Sequence, residues 1–282
     1  MKCPGLYCGM MPLANDTLSD CGACDRGWKR DDKFICHPCE DSLILYDWLF
    51  LIFSCIVPLL IHSFLIDHTA QQRKFVFRMI SWQLKNSKCS SFFRFSKEII
   101  FLYSSALLEI AGAALLTVFL SDPMFSFDIH SCGVSGLSDW YTFLYNPSPR
   151  YESTMICTAE RVFPLQTMVL IFYVFCVTFM LLLRPFVNEK CKEKIEKAPL
   201  AVYYALYAIP LLALIHALFG GLVYFAFPYL SIVISCGANA THFAMKLDQT
   251  TKTLLITSVT DFRNIIIICK LYQLHADWWQ TN

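Results

Sequence analysis

Long apolar runs, separated by short stretches that hold most of the charge, set the pattern of this chain. The first run is "WLFLIFSCIVPLLIHSFLI" at 48–66. With a helical rise of about 1.5 Å per residue it nearly covers a ~30 Å hydrocarbon core. A second run covers 99–120 and a third 165–183. The stretch 198–238 then carries no charged side chain at all. One straight helix of that length would measure ~60 Å, about twice the bilayer core. Two spans, 199–219 and 222–239, joined at Gly220-Gly221, fit better, because glycine permits the tight backbone of a short turn. The tail "RNIIIICKLYQLHADWW" offers a further segment at 264–280, interrupted by Lys270 and Asp277. The pattern predicts an all-α polytopic membrane protein, with five clear spans and an interrupted sixth, behind a small Cys-rich N-terminal module.

Composition agrees. Of 282 residues, 56% are hydrophobic and only 16% charged, against about 25% charged in a typical soluble domain. Mean hydropathy is +0.48. The net charge of +1 offers no basic field for nucleic acid. The polar, Cys-rich segment ahead of the first run lacks the apolar core of a cleavable signal peptide, so the run at 48–66 is expected to serve as an uncleaved signal-anchor.

Charge placement predicts orientation. Residues 67–97 hold seven basic side chains (Arg73, Lys74, Arg78, Lys85, Lys88, Arg94, Lys97) against the single acid Asp67. The connector 184–197 holds five, beginning with Arg184, against three acids. The connector 121–164 holds two, Arg150 and Arg161, against five acids. Lys/Arg-rich connectors stay cytosolic, so the N-terminus and 121–164 are expected to face the lumen or the exterior. Within 67–97, "QRKFVFRMISWQL" reads as a basic amphipathic stretch suited to an anionic leaflet, or as a solvated loop with incidental aromatics. Its Arg73-Lys74 pair is distantly similar to a kinase docking peptide, without the usual spacer.

Six of the 14 cysteines, Cys3, Cys8, Cys21, Cys24, Cys36 and Cys39, precede Glu40. The CxxC pairs Cys21-Cys24 and Cys36-Cys39 suit a tetrahedral zinc site in a reducing compartment. In an oxidising one the same six read as three disulfides that staple a module too small for its own core. The charge pattern favours disulfides and a lumenal module over 1–42, followed by a membrane domain over 43–282. Asn15-Asp16-Thr17 is a glycosylation sequon in that module. Cys132 and Cys157, in the lumenal connector, are expected either to pair with each other or to remain free thiols.

No catalytic motif, metal cluster or cofactor-binding signature stands out. Glu109, mid-span in "LLEIAGAALL", is the notable intramembrane polar residue, and such groups are functional candidates by default. The plainer reading is a protonated carboxyl hydrogen-bonded between helices, with the adjacent small residues permitting close approach. His62 and His216 are expected as neutral packed histidines. In "LSDWYTFLYNPSP", residues Leu137, Trp140, Tyr141 and Leu144 follow helical spacing. Ser138 or Asp139 can cap the start, and Pro147 ends the helix. Trp140, Tyr141 and Tyr145 are expected as an interfacial anchor with rings at headgroup depth, or else packed beneath the Cys-rich module.

The stretches "CPGLYCG", "CGACDRG…CHPC", "LYDWLFL", "LLTVFLSDP", "LSDWYTFLYNPSP", "MLLLRP" and "GGLVYFAFPY" occur in this order. Together they resemble the c-Jun N-terminal kinase-associated membrane protein family, over residues 3–66 and 98–232. The resemblance implies a multi-span endoplasmic reticulum protein, N-terminus lumenal, without enzymatic activity or cofactor. It implies binding of c-Jun N-terminal kinase and modulation of stress signalling. It also implies recruitment of proteasome subunits and degradation factors for misfolded-protein clearance, with a membrane-anchored RING-type ubiquitin ligase as partner. Two departures stand against it. The connector 67–97 is longer than the family's first cytosolic connector, and the tail from residue 240 matches poorly and falls short of the family's seven spans. A multi-span receptor or transporter is the competing reading, favoured respectively by the Cys-rich ectodomain and by Glu109.

Overall fold

The computed structural model describes residues 3, 7–13, 17–69, 97–142, 157, 162–191 and 198–245. Asn15, the basic stretch 72–84, Tyr145 and the segment 264–280 lie outside the described residues.

The long helices are α1 (Leu45–Thr69), α2 (Lys97–Leu120), α4 (Leu165–Cys191) and α5 (Ala198–Met245), with a four-residue α3 (Leu137–Trp140) before α4. Apolar runs become helices because a bilayer offers no water to backbone N–H and C=O groups, so each must bond within its own segment. Pro58, Pro185, Pro210 and Pro228 lie inside these helices, as membrane helices tolerate. Among the described residues four stretches are long and apolar enough to cross a membrane: Leu45–Ile66, Ile100–Leu120, Leu165–Val187 and Leu200–Gly237. The stretch of the two spans expected around Gly220-Gly221 is one 48-residue element made of two helices that meet at a kink at Phe219 (φ −115°, ψ 17°), beside the glycine pair. No open turn separates them.

The chain divides into two compact units. One comprises Met1–Leu51, Ala114–Phe175 and Ala213–Val223; the other comprises Ile52–Ala113, Cys176–Leu212 and Tyr224–Asn282.

The first unit holds the strands of the described residues, in three antiparallel pairs. Strand β1 (Cys8–Gly9) pairs with β2 (Gly22–Ala23), and β3 (Trp28–Arg30) with β4 (Cys36–Pro38). Strand β5 (Asp41–Ser42) pairs with β6 (His130–Ser131), joining the N-terminal segment to the connector after α2. Strands this short are not stable alone, and four disulfides hold these: Cys3–Cys21, Cys24–Cys36, Cys8–Cys157 and Cys39–Cys132. The expected pairing of Cys132 with Cys157 is not formed; each reaches back to the N-terminal segment instead. Residues 1–42 thus do not close on themselves, and no compact unit ends at residue 42. The physical reason is size, because so short a segment buries too little apolar surface to stand alone. Its small core, Cys3, Tyr7, Cys8 and Met10, is completed by Cys157 from the connector. Chain-entropy reasoning assigns each long-range bridge about 4–5 kcal/mol, an upper figure where membrane segments already restrain the loop.

In the second unit Ile66, Leu102, Ala106, Val187 and Ala201 form a core, with Tyr103 packed against it. The Tyr103 hydroxyl donates to the Ser63 carbonyl at 3.3 Å. A Cβ on Gly112 would lie 3.4 Å from the Phe179 ring, so the glycine permits the close approach of α2 to α4.

Digestion under non-reducing conditions is expected to yield peptides linking Cys8 to Cys157 and Cys39 to Cys132. Mass spectrometry that found Cys132 joined to Cys157 would contradict the connectivity.

Candidate functional site

The aromatic connector is organised by Asp139. Its Oδ2 accepts hydrogen bonds from Ser135 N (2.8 Å), Ser135 Oγ (2.7 Å) and Gly136 N (3.1 Å). Its Oδ1 accepts from the Tyr7 hydroxyl at 3.2 Å. Gly136, not Ser138 or Asp139, occupies the N-cap of α3. Asp139 acts from the third helical position, where a carboxylate reaches back to free N–H groups. The same carboxylate ties the N-terminal segment to the connector without a covalent bond.

Trp140, expected either at headgroup depth or packed beneath the Cys-rich module, is 8% exposed. Its ring meets Phe50 edge-on at 6.0 Å between centroids. A Cβ on Gly220 would lie 3.0 Å from the indole, and one on Gly221 would lie 2.6 Å from Trp140 Cβ and 2.9 Å from Tyr141. The glycine pair is therefore a socket for Trp140 and Tyr141, a role distinct from the turn expected of it. Trp140 is buried in packing within the first unit and Tyr141 is half-buried beside it, so of the two expected seats Trp140 takes the packed one. Nearby, Tyr173 Oη and His216 Nδ1 are 3.0 Å apart, and His216 is buried as expected.

The rest of the Cys-rich framework is braced at its rim. Phe163 packs with Cys39 and Cys132, and the Arg26 guanidinium sits 5.5 Å over its ring. Asp31 accepts from Ile35 N and Lys33 N, both at 2.8 Å, and lies 3.4 Å from His37 Nε2. The Ile35 N–H first, then the Lys33 N–H and His37, hold its carboxyl below the usual carboxylate range. The thiols of the two CxxC pairs are divided among three different disulfides, so they do not converge on one four-thiolate centre.

The second unit contains a buried polar cluster contributed by three helices. Arg184 Nε donates to Glu109 Oε1 at 2.6 Å, and Arg184 Nη2 lies 3.4 Å from His62 Nδ1. Glu109 and Arg184 are each 1% exposed. Facing a guanidinium, which always carries its protons, Nδ1 can only accept, which is the neutral histidine expected. Glu109 Oε2 has no hydrogen-bond partner among the described residues. Arg184 corrects the charge reading, because it belongs to the span Leu165–Val187 and not to the connector. A buried cation is tolerated where a carboxylate compensates it. Phe172, Cys176, Met180, Arg184 and Val187 are all buried along one helical stripe. The ion pair with Arg184 joins the helices that carry Glu109 and Arg184.

A family model described as "JNK1/MAPK8-associated membrane protein" matches residues 3–277. The human protein of that name is 36% identical over 280 residues, covering 97% of this chain and 82% of the relative. The mouse protein is 35% identical over the same shares. The Caenorhabditis elegans homolog is 28% identical over 252 residues, 89% of this chain and 71% of its own. No solved structure matches the chain. The family match continues to residue 277, against the expectation that the tail departs from residue 240.

Arg184→Ala should destabilise the protein by about 3–5 kcal/mol, because Glu109 then remains buried without its cation. The double variant Arg184→Met, Glu109→Leu should recover most of the loss. Both are read by thermal unfolding in detergent, and a double variant as unstable as the single one would contradict the pairing. Gly221→Val should cost about 1–3 kcal/mol by overpacking, measured the same way. An unchanged midpoint would show that Trp140 does not occupy the socket.

Proposed function

The chain belongs to the JNK1/MAPK8-associated membrane protein family, and on that premise we propose that it is a membrane scaffold that binds c-Jun N-terminal kinase and modulates stress signalling. The observation that carries this reading is the reach of the family match, which takes in the Cys-rich segment, the connectors and the spans together. The relatives' name itself speaks of association with the kinase, and binding without catalysis is the simplest activity it describes.

The same reading extends to location and partners. The protein resides in the endoplasmic reticulum membrane with its N-terminus in the lumen and a glycan on Asn15. Disulfides support this, since they form in oxidising compartments and not in the cytosol. The seven basic residues of 67–97 support a cytosolic first connector. From the cytosolic face the scaffold recruits proteasome subunits and degradation factors for misfolded-protein clearance, with a membrane-anchored RING-type ubiquitin ligase as partner. This part is taken over from the family resemblance.

Affinity purification of the tagged full chain from membranes of stressed cells tests the proposal. The expected result is co-purification of the kinase together with proteasome subunits. Recovery of the kinase alone would uphold the signalling scaffold and remove the degradation role. Recovery of neither would overturn the reading. In the same preparation, glycosidase should shift the mobility of the wild type but not of Asn15→Gln; a wild type that does not shift would contradict a glycosylated lumenal N-terminus.

A further inference from the structure

The residues that follow α2 present apolar side chains where a connector would ordinarily be polar. In Ser121–Asp128, Met124, Phe125 and Phe127 are 62%, 79% and 66% exposed. They are held that way by a braced turn. Ser121 N and Oγ both bond to the Thr117 carbonyl, at 3.1 and 2.7 Å, which finishes the helix. Phe125 N donates to the Phe119 carbonyl at 2.8 Å, folding the turn back on the helix end. Ser126 N donates to Pro123 O at 3.2 Å, and Asp128 N to Ser126 Oγ at 3.1 Å. The rings of Phe119 and Phe127 lie 5.3 Å apart. Phe125 has φ +62°, the left-handed region that a bulky side chain rarely adopts. Local bonding thus keeps three large apolar groups turned outward.

What meets them follows from the helix that leads into the turn. Ile100–Leu120 is long and apolar enough to cross a membrane. On its last turns Leu116 and Leu120 are themselves exposed. The exposed side chains of the turn resume that surface shortly after Leu120, beginning at Met124. The segment carries Asp122 and Asp128 and no Lys or Arg, so it lacks the charge that draws basic anchors to anionic lipid. Phe and Met also lack the polar tip that holds Trp and Tyr at headgroup level, which suits them to a deeper seat.

We propose that Met124, Phe125 and Phe127 form an apolar anchor that inserts at the glycerol and acyl-chain boundary of the leaflet in which α2 ends. Its partner is a phospholipid monolayer, taken without preference for headgroup charge. The anchor occupies the role first expected of Trp140 and Tyr141.

A benzophenone amino acid placed at position 125 of the full chain tests this in vesicles of phosphatidylcholine. Irradiation should add the mass of one phospholipid, as it should for the same probe at Leu116 on the exposed face of the span. The probe at Met180, which is buried, should add none. The yield at position 125 should not change when anionic phosphatidylserine is included. In native membranes the adduct at 125 should again be lipid. A cross-link to a second polypeptide there would make the surface a protein-docking site and overturn the proposal. So would absence of a lipid adduct at 125 when Leu116 gives one, or a yield that requires anionic lipid.

Discussion

A guanidinium and a carboxylate 2.6 Å apart, both sealed from solvent, set the condition under which α1, α2 and α4 can pack in the second unit. An isolated charge in hydrocarbon is expensive, and neither Glu109 nor Arg184 is tolerable there without the other. Each pins its helix in rotation, because a polar face turned to lipid would lose its partner. His62 adds α1 to the same cluster. Around it the small residues Ala106 and Gly112 let the helices approach closely enough for a short ion pair to form. Apolar packing between helices in lipid is weakly directional, so this cluster supplies the register that leucines alone do not.

The first unit solves a different problem by different means. Its N-terminal segment is too short to bury a core and too polar to enter the bilayer. Four disulfides, one buried carboxylate and one indole hold it together. Two of the bridges and the Tyr7–Asp139 hydrogen bond join the segment to a connector far along the chain. Trp140 seats the connector on Gly220 and Gly221. Cross-links that join distant parts of the chain hold this unit together without a large core.

The spans were legible because composition alone selects them: a stretch without charge over about twenty residues has few fates other than a membrane helix. The disulfide-forming cysteines were legible as residues but not as pairs, because pairing depends on which chain segments meet, and spacing is silent on that. Glu109 was legible as costly, yet its partner was hidden among the basic residues of the following connector. A positive charge at the edge of an apolar run looks the same whether it faces water or a carboxylate. The glycine pair was legible as a backbone feature, and the helix does break beside it at Phe219; its use as a socket was not legible, since a missing Cβ serves a turn and a socket equally well.

By itself, then, the amino-acid sequence determined the class of protein, a mostly helical chain with apolar helices long enough to cross a membrane, the cysteines that cross-link it and the family it belongs to. These follow from quantities local to each segment: hydropathy, charge and order along the chain. Only the tertiary structure decided that Cys132 and Cys157 reach back to the N-terminal segment, that Arg184 lies inside a span against Glu109, and that Trp140 is buried while Phe125 is not. Each of those is a contact or an exposure fixed by segments distant in sequence. The free energy that selects them, the cost of an unpaired charge or an unfilled socket, exists only once the segments have come together.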